Sequence, residues 1–131
     1  MATATGAFEV TSWAEEVYEQ LEGGGRLTRA TVEQTFTGDL TGAGAVQWLM
    51  SYRADGTAHF VGVQRVRGAL GGRRGSFVLE TSGEFDGSEA RGAWQVIERA
   101  GGGELATLRG SGSFLAPHGS RAMYELDYEL D

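Results

Sequence analysis

The chain has 131 residues, of which 22 are glycine, one is proline and none is cysteine, and its formal net charge is −7. Without cysteine there is no disulfide or thiol chemistry, and so acidic a balance argues against nucleic acid or an anionic membrane as partner, since either would select a basic surface. The length, with no obvious linker, predicts a single domain over residues 1–131 that buries roughly two thirds of its unfolded surface.

Taken in order, the N-terminal MATATGAF lacks a basic region followed by an apolar run, and no apolar stretch is long enough to span a bilayer, so the expectation is a soluble cytoplasmic protein. A first strand is predicted over 4–12. Residues 13–24 read two ways: Ser12 with Glu15 resembles a capping box before a short helix, and an irregular extended segment against the body of the protein fits as well. Further strands are predicted over 26–40, 44–54, 57–70, 73–86, 88–98, 108–116 and 120–130, with a loop containing one helical turn at 101–108. Turn signals separate them at Thr41-Gly42, Asp55-Gly56, Gly71-Gly72, Asp86-Gly87, Gly101 to Gly103 and His118-Gly119. Long strands carrying internal glycines suit strongly curved sheet, and the fold class predicted is all-β, a closed and mostly antiparallel eight-stranded meander barrel.

The turns fix a register. Gly71-Gly72 as a two-residue hairpin turn sets Val66 opposite Phe77, Gln64 opposite Leu79, Gly62 opposite Thr81 and Phe60 opposite Gly83, a face taken as the interior. The opposite face, with His59 against Glu84 and Arg65 and Arg67 alternating, suits water. Asp55-Gly56 as a two-residue turn would set Gln47 opposite Gln64 and Leu49 opposite Gly62. Asp86-Gly87 would likewise set Trp94 opposite Leu79 and Val96 opposite Phe77. Tyr124, Leu126 and Tyr128 are expected to point inward from the last strand. The expected lining is thus mostly apolar, comprising Leu49, Phe60, Leu79, Trp94, Tyr124 and Tyr128, with a polar spot made of Gln47, Gln64 and Thr81.

The phrases TFTGDLTG, LMSYRADGTAHFVG, GSFVLETSG, GGGELATLRGSGSF and YELDYEL resemble a bacterial family of domains of unknown function whose barrel is similar to that of allene oxide cyclase. The resemblance covers nearly the whole chain and implies an eight-stranded barrel with a central cavity, but no settled activity. It also implies glutamate at the position of Gln64, histidine at that of Thr81 and a proline near Val17. This chain has none of them, so an acid-base role for the first two does not carry over, while the third weighs against the helix at 13–24.

Other groups read more plainly. Gln47, Gln64 and Thr81 would either orient a ligand or satisfy one another. Trp94 is expected in the core, and Tyr124 and Tyr128 to pack with a partner for each hydroxyl. Arg65, Arg67, Arg73 and Arg74 suit a solvated face paired with acidic residues, and His59 and His118 share no ligand spacing, so neither metal nor cofactor is implied. Two functions follow as expectations. The first is a barrel binding an apolar or amphipathic small molecule, with cofactor-free isomerisation or cyclisation as the chemistry that positioning alone could supply. The alternative is a non-catalytic binding or interaction module with a packed barrel core. An outer apolar patch including Trp48, Met50 and Tyr52 predicts a homo-oligomer, most simply a dimer.

Overall fold

A computed structural model describes residues 1–118 and 121–131, so the predicted turn at His118-Gly119 and the start of the predicted 120–130 strand fall partly outside the described residues. The strands are β1 (Ala2–Gln20), β2 (Arg26–Gly38), β3 (Leu40–Tyr52), β4 (Ala58–Leu70), β5 (Arg73–Phe85), β6 (Glu89–Val96), the two-residue β7 (Gly102–Gly103), β8 (Arg109–Pro117) and β9 (Ala122–Glu129). Pairing runs β4-β3-β2-β1-β9-β8-β6-β5, and β4 with β5 closes the ring. Eight antiparallel strands thus form the predicted barrel, with β7 added beside the start of β5. Among the described residues no helix is long and apolar enough to cross a membrane.

The Gly71-Gly72 hairpin has the expected register, from Ala58 opposite Phe85 to Leu70 opposite Arg73, with both glycines at positive φ. The other two hairpins differ, with unequal consequences. At β5–β6 the turn sits one residue later, because the Asp86 carboxylate accepts from the backbone N–H groups of Ser88 and Glu89, both at 2.9 Å, and so holds Gly87-Ser88 as the turn. Trp94 therefore faces Thr81 and Val96 faces Leu79, two residues from the expected pairing. A shift of two keeps every side chain on its face.

At β3–β4 the connection holds three residues instead of two. The Arg53 N–H donates to the Thr57 carbonyl at 2.8 Å, and Gly56, at φ +89°, supplies the left-handed residue that such a turn needs. Trp48 consequently faces Gly62 and Met50 faces Phe60. A one-residue slip turns a whole strand over. Trp48 and Met50, 7% and 6% exposed, lie inside, and Tyr52 is half-buried at the barrel end, whereas Gln47 and Leu49 point into water. The apolar outer patch built on Trp48, Met50 and Tyr52 does not exist. What remains on that face is smaller, mainly Leu49 opposite Val61, with Val63 beside it.

Residues 13–24 are not helical but extended: β1 continues to Gln20 against β2, with an irregularity between Val17 and Glu19, and the chain turns at Gly23-Gly24, both at positive φ. Pairing with β2 overrides a local capping signal worth a kcal/mol or so, about the usual value for one cap. A bulge between Val10 and Ser12 changes which side chains face inward, so that Trp13, Glu15 and Val17 align with the buried Val32, Ala30 and Thr28. β9 accompanies β1 only as far as Phe8, and beyond it the outer half of β1 projects with β2 as a flap over one end of the barrel.

The interior is packed. Phe36, Val66, Phe77, Leu79 and Leu126 are all at most 1% exposed, and an aromatic cluster of Phe8, Phe36, Trp94 and Tyr124 crosses the middle with centroids 5.3 to 6.2 Å apart. The predicted turn at 101–108 is present, and its Leu105 and Leu108 join the core at the end where β7 lies. Tyr124 ties β9 to the β2–β3 turn: its hydroxyl accepts from the Leu40 N–H at 2.9 Å and has the Thr37 and Leu40 carbonyls at 2.9 and 3.1 Å. A Cβ on Gly6 would lie 2.5 Å from that hydroxyl, which accounts for a glycine there. Tyr124→Phe should therefore lower unfolding free energy in urea by about 1 to 3 kcal/mol, the cost of leaving buried backbone groups unpaired, with the slope unchanged.

Candidate functional site

The end of the barrel under the β1 flap holds an apolar cavity of about 290 Å³. Its floor is a triad of aromatic rings, Trp48 of β3, Phe60 of β4 and Phe114 of β8, with centroids 5.4 to 6.5 Å apart. Each ring lies over a glycine on a paired strand. A Cβ on Gly62 would come within 2.5 Å of Trp48, one on Gly83 within 2.7 Å of Phe60, and one on Gly92 within 2.1 Å of Phe114. Large residues can tilt across the barrel mouth only because their opposite positions carry no side chain.

The walls come from the strand ends. β1 contributes Phe8, Val10 and Trp13, β3 adds Met50 and Tyr52, and Phe85, Ala90 and Ala116 close the side opposite the flap, with His118 at the rim. Trp13, 46% exposed, stands 5.9 Å from Trp48. Behind it the Glu15 carboxylate is held between two donors, Trp13 Nε1 at 3.1 Å and Thr28 Oγ1 at 2.6 Å. Burial first, and then the negative charge of Glu15, push the Tyr52 hydroxyl up to about 12, so it keeps its proton throughout the neutral range. The Arg26 guanidinium stacks on the Tyr52 ring, 4.2 Å from its centroid.

Of the side chains expected to line a central cavity, Phe60 lines this one, and Tyr128 lines an open pocket at the other end of the barrel. Gln64, Leu79, Thr81 and Trp94 point inward as expected but lie deeper, packed and at most 2% exposed. Tyr124 is used for the backbone contacts above, and Tyr128 is partly buried towards the other end, where its hydroxyl would meet a Cβ on Gly71. Gln47 and Leu49 are on the outer surface, with Gln47 accepting from Thr31 Oγ1 at 3.1 Å. The polar spot is dispersed as a result: Gln64 donates instead to Gln34 Oε1, and Thr81 Oγ1 has no hydrogen-bond partner among the described residues. The signal missed was the apolar alternation Trp48, Met50, Tyr52, which marks an inward face whatever the turn length.

On the outer face His59 and Arg53 both contact Glu84, holding its carboxyl below the usual range, with the His59 hydrogen bond the larger cause. Arg73 donates to the Asp131 carbonyl at 3.1 Å, and Arg109 pairs with Glu129 and Asp131. The Arg53 and Arg109 contacts are solvated ion pairs. Among the described residues no group of three His, Cys, Asp or Glu side chains is placed to hold a metal.

Residues 4–128 match the model of a family described as "Protein of unknown function (DUF3224)". A crystal structure of a DUF3224 protein with unknown function from Shewanella oneidensis MR-1, at 1.84 Å resolution, is similar to this chain. It is 31% identical with a TM-score of 0.85, over 100% of this chain and 98% of the other. A comparison with curated proteins gives no match.

Proposed function

This chain belongs to the DUF3224 family of proteins of unknown function, and from its geometry we propose that it binds an apolar or amphipathic small molecule under the β1 flap. The observation that carries the reading is the aromatic-floored cavity of about 290 Å³, whose walls are almost wholly apolar. That volume lies near the lower end of ligand sites, roughly 300 to 1,000 Å³, so the occupant is small or leaves part of itself in water. Any chemistry at this position would be isomerisation or cyclisation through positioning, because the titratable side chains of the lining are Tyr52 and His118 and no hydrogen bond pairs them among the described residues. A binding module without catalysis is the second reading, supported by the packed barrel interior beneath the floor.

The test is titration with 1-aminoanthracene, a neutral fluorescent probe. Ala116→Trp, which fills the cavity wall opposite the flap, should weaken probe binding at least about tenfold, while Ala45→Trp on the outer surface should leave it unchanged. Equal binding by both variants would place the site elsewhere.

A further inference from the structure

We propose that the cavity under the flap selects an organic cation, an alkylated ammonium group joined to an apolar body, with Glu15 as its counter-charge. The inference rests on the ligand-binding reading above and names the class of ligand. Trp13 and Trp48 stand 5.9 Å apart with their planes inclined by 49°, and Phe60 is 5.4 Å from Trp48 at 57°, so the three rings form a contiguous row on non-parallel planes in the cavity lining. Their electron-rich faces attract positive charge, and the attraction grows when water is excluded. Arg26 already occupies one ring of this end, that of Tyr52.

The polar chemistry narrows the choice. A carboxylate, phosphate or amide head group entering so apolar a cavity would lose its hydration with few hydrogen bonds in return. A quaternary or tertiary ammonium spreads its charge over alkyl groups and needs few directional partners. Glu15 lies on the inward-facing run of the flap, its carboxylate fixed against the Trp13 indole N–H and the Thr28 hydroxyl. Among the described residues no Arg, Lys or His pairs with it in a salt bridge, whereas Arg53 is taken by Glu84 and Arg91 by Glu89. An exposed carboxylate hydrogen-bonded to the cavity-lining Trp13, with no salt bridge of its own among the described residues although Arg26 shares Tyr52 with it, in a chain of net charge −7, disfavours anions and favours cations.

Benzyltrimethylammonium and its uncharged isostere neopentylbenzene, equal in shape, provide the test, read by quenching of tryptophan fluorescence at low salt. The cation should bind about tenfold more tightly, a ratio that cation–π and Coulomb attraction together support. Glu15→Gln, which keeps an acceptor for both donors on an exposed residue, should reduce that ratio about threefold or more and leave neopentylbenzene unaffected. If the neutral compound binds as well as the cation, or if Glu15→Gln leaves the ratio unchanged, the cation inference is overturned and the apolar cavity stands. Failure of both compounds to bind overturns the cavity reading as well.

Discussion

Trp48→Glu should unfold the protein at neutral pH. The indole is 7% exposed and packs against Trp13, Phe60 and Phe114, so its removal empties the floor of the cavity at a cost of about 3 to 5 kcal/mol, in line with other large-to-small core changes. The incoming carboxylate would face Phe60 and Phe114 with no basic partner in that floor, and burying it ionised or neutralised adds several kcal/mol more, of the order seen for unpaired buried charges. Together these approach or exceed the roughly 5 to 15 kcal/mol that holds a domain of ordinary stability. Circular dichroism should show loss of the β signal, and sedimentation should show an expanded or aggregated chain. A soluble, folded Trp48→Glu protein that differs from the parent only in its state of association would mean that Trp48 is on the outer face, as its expected role in a dimer required.

The same residue shows what the sequence made legible. Closure into a barrel was readable because glycine turns recur between long alternating strands, and the Gly71-Gly72 register was readable because two adjacent glycines leave little choice of turn. Asp55-Gly56 offered a choice. A two-residue turn and a three-residue turn ending in a left-handed glycine look alike in sequence, and they differ by one residue, which decides whether Trp48 or Gln47 is inside. The alternation of apolar residues at 46, 48, 50 and 52 against polar or small ones at 45, 47 and 51 would have settled it, since burial of Trp48 outweighs any preference of the turn. Trp13 and Glu15 were harder. Their placement depends on a bulge near Thr11 and on pairing with β2, and nothing between Val10 and Ser12 announces an unpaired residue. The candidate cavity takes Trp13, Trp48, Met50 and Tyr52 from these two displaced sets, which is why its position was not legible although an apolar cavity was expected.

Gly83→Ala should be far more damaging than the addition of a single methyl group would suggest. The new Cβ would lie 2.0 Å from the Arg91 carbonyl oxygen and 2.7 Å from both the Gly92 Cα and Phe60 Cζ. Two of these three neighbours are backbone atoms of the paired strand β6, held by the Gly83–Gly92 register, and cannot swing away as a side chain can. Relief requires β5 and β6 to separate at this rung or Phe60 to leave the floor, so the cost should reach or pass the usual overpacking range of about 1 to 3 kcal/mol. Phe60 gives the substitution a second readout. If it is displaced, the cavity floor tilts and binding of 1-aminoanthracene falls along with stability. Gly87→Ala is the control, because a Cβ there meets nothing within 4 Å and only its φ of +100° opposes the change. It should destabilise by about 1 to 2 kcal/mol through backbone strain at the turn and leave probe affinity intact. Urea unfolding of both variants beside probe titration separates the two effects. Gly83→Ala with parental stability and parental probe affinity would show that β5 and β6 do not approach as closely at Gly83 and that the floor of the cavity does not depend on it.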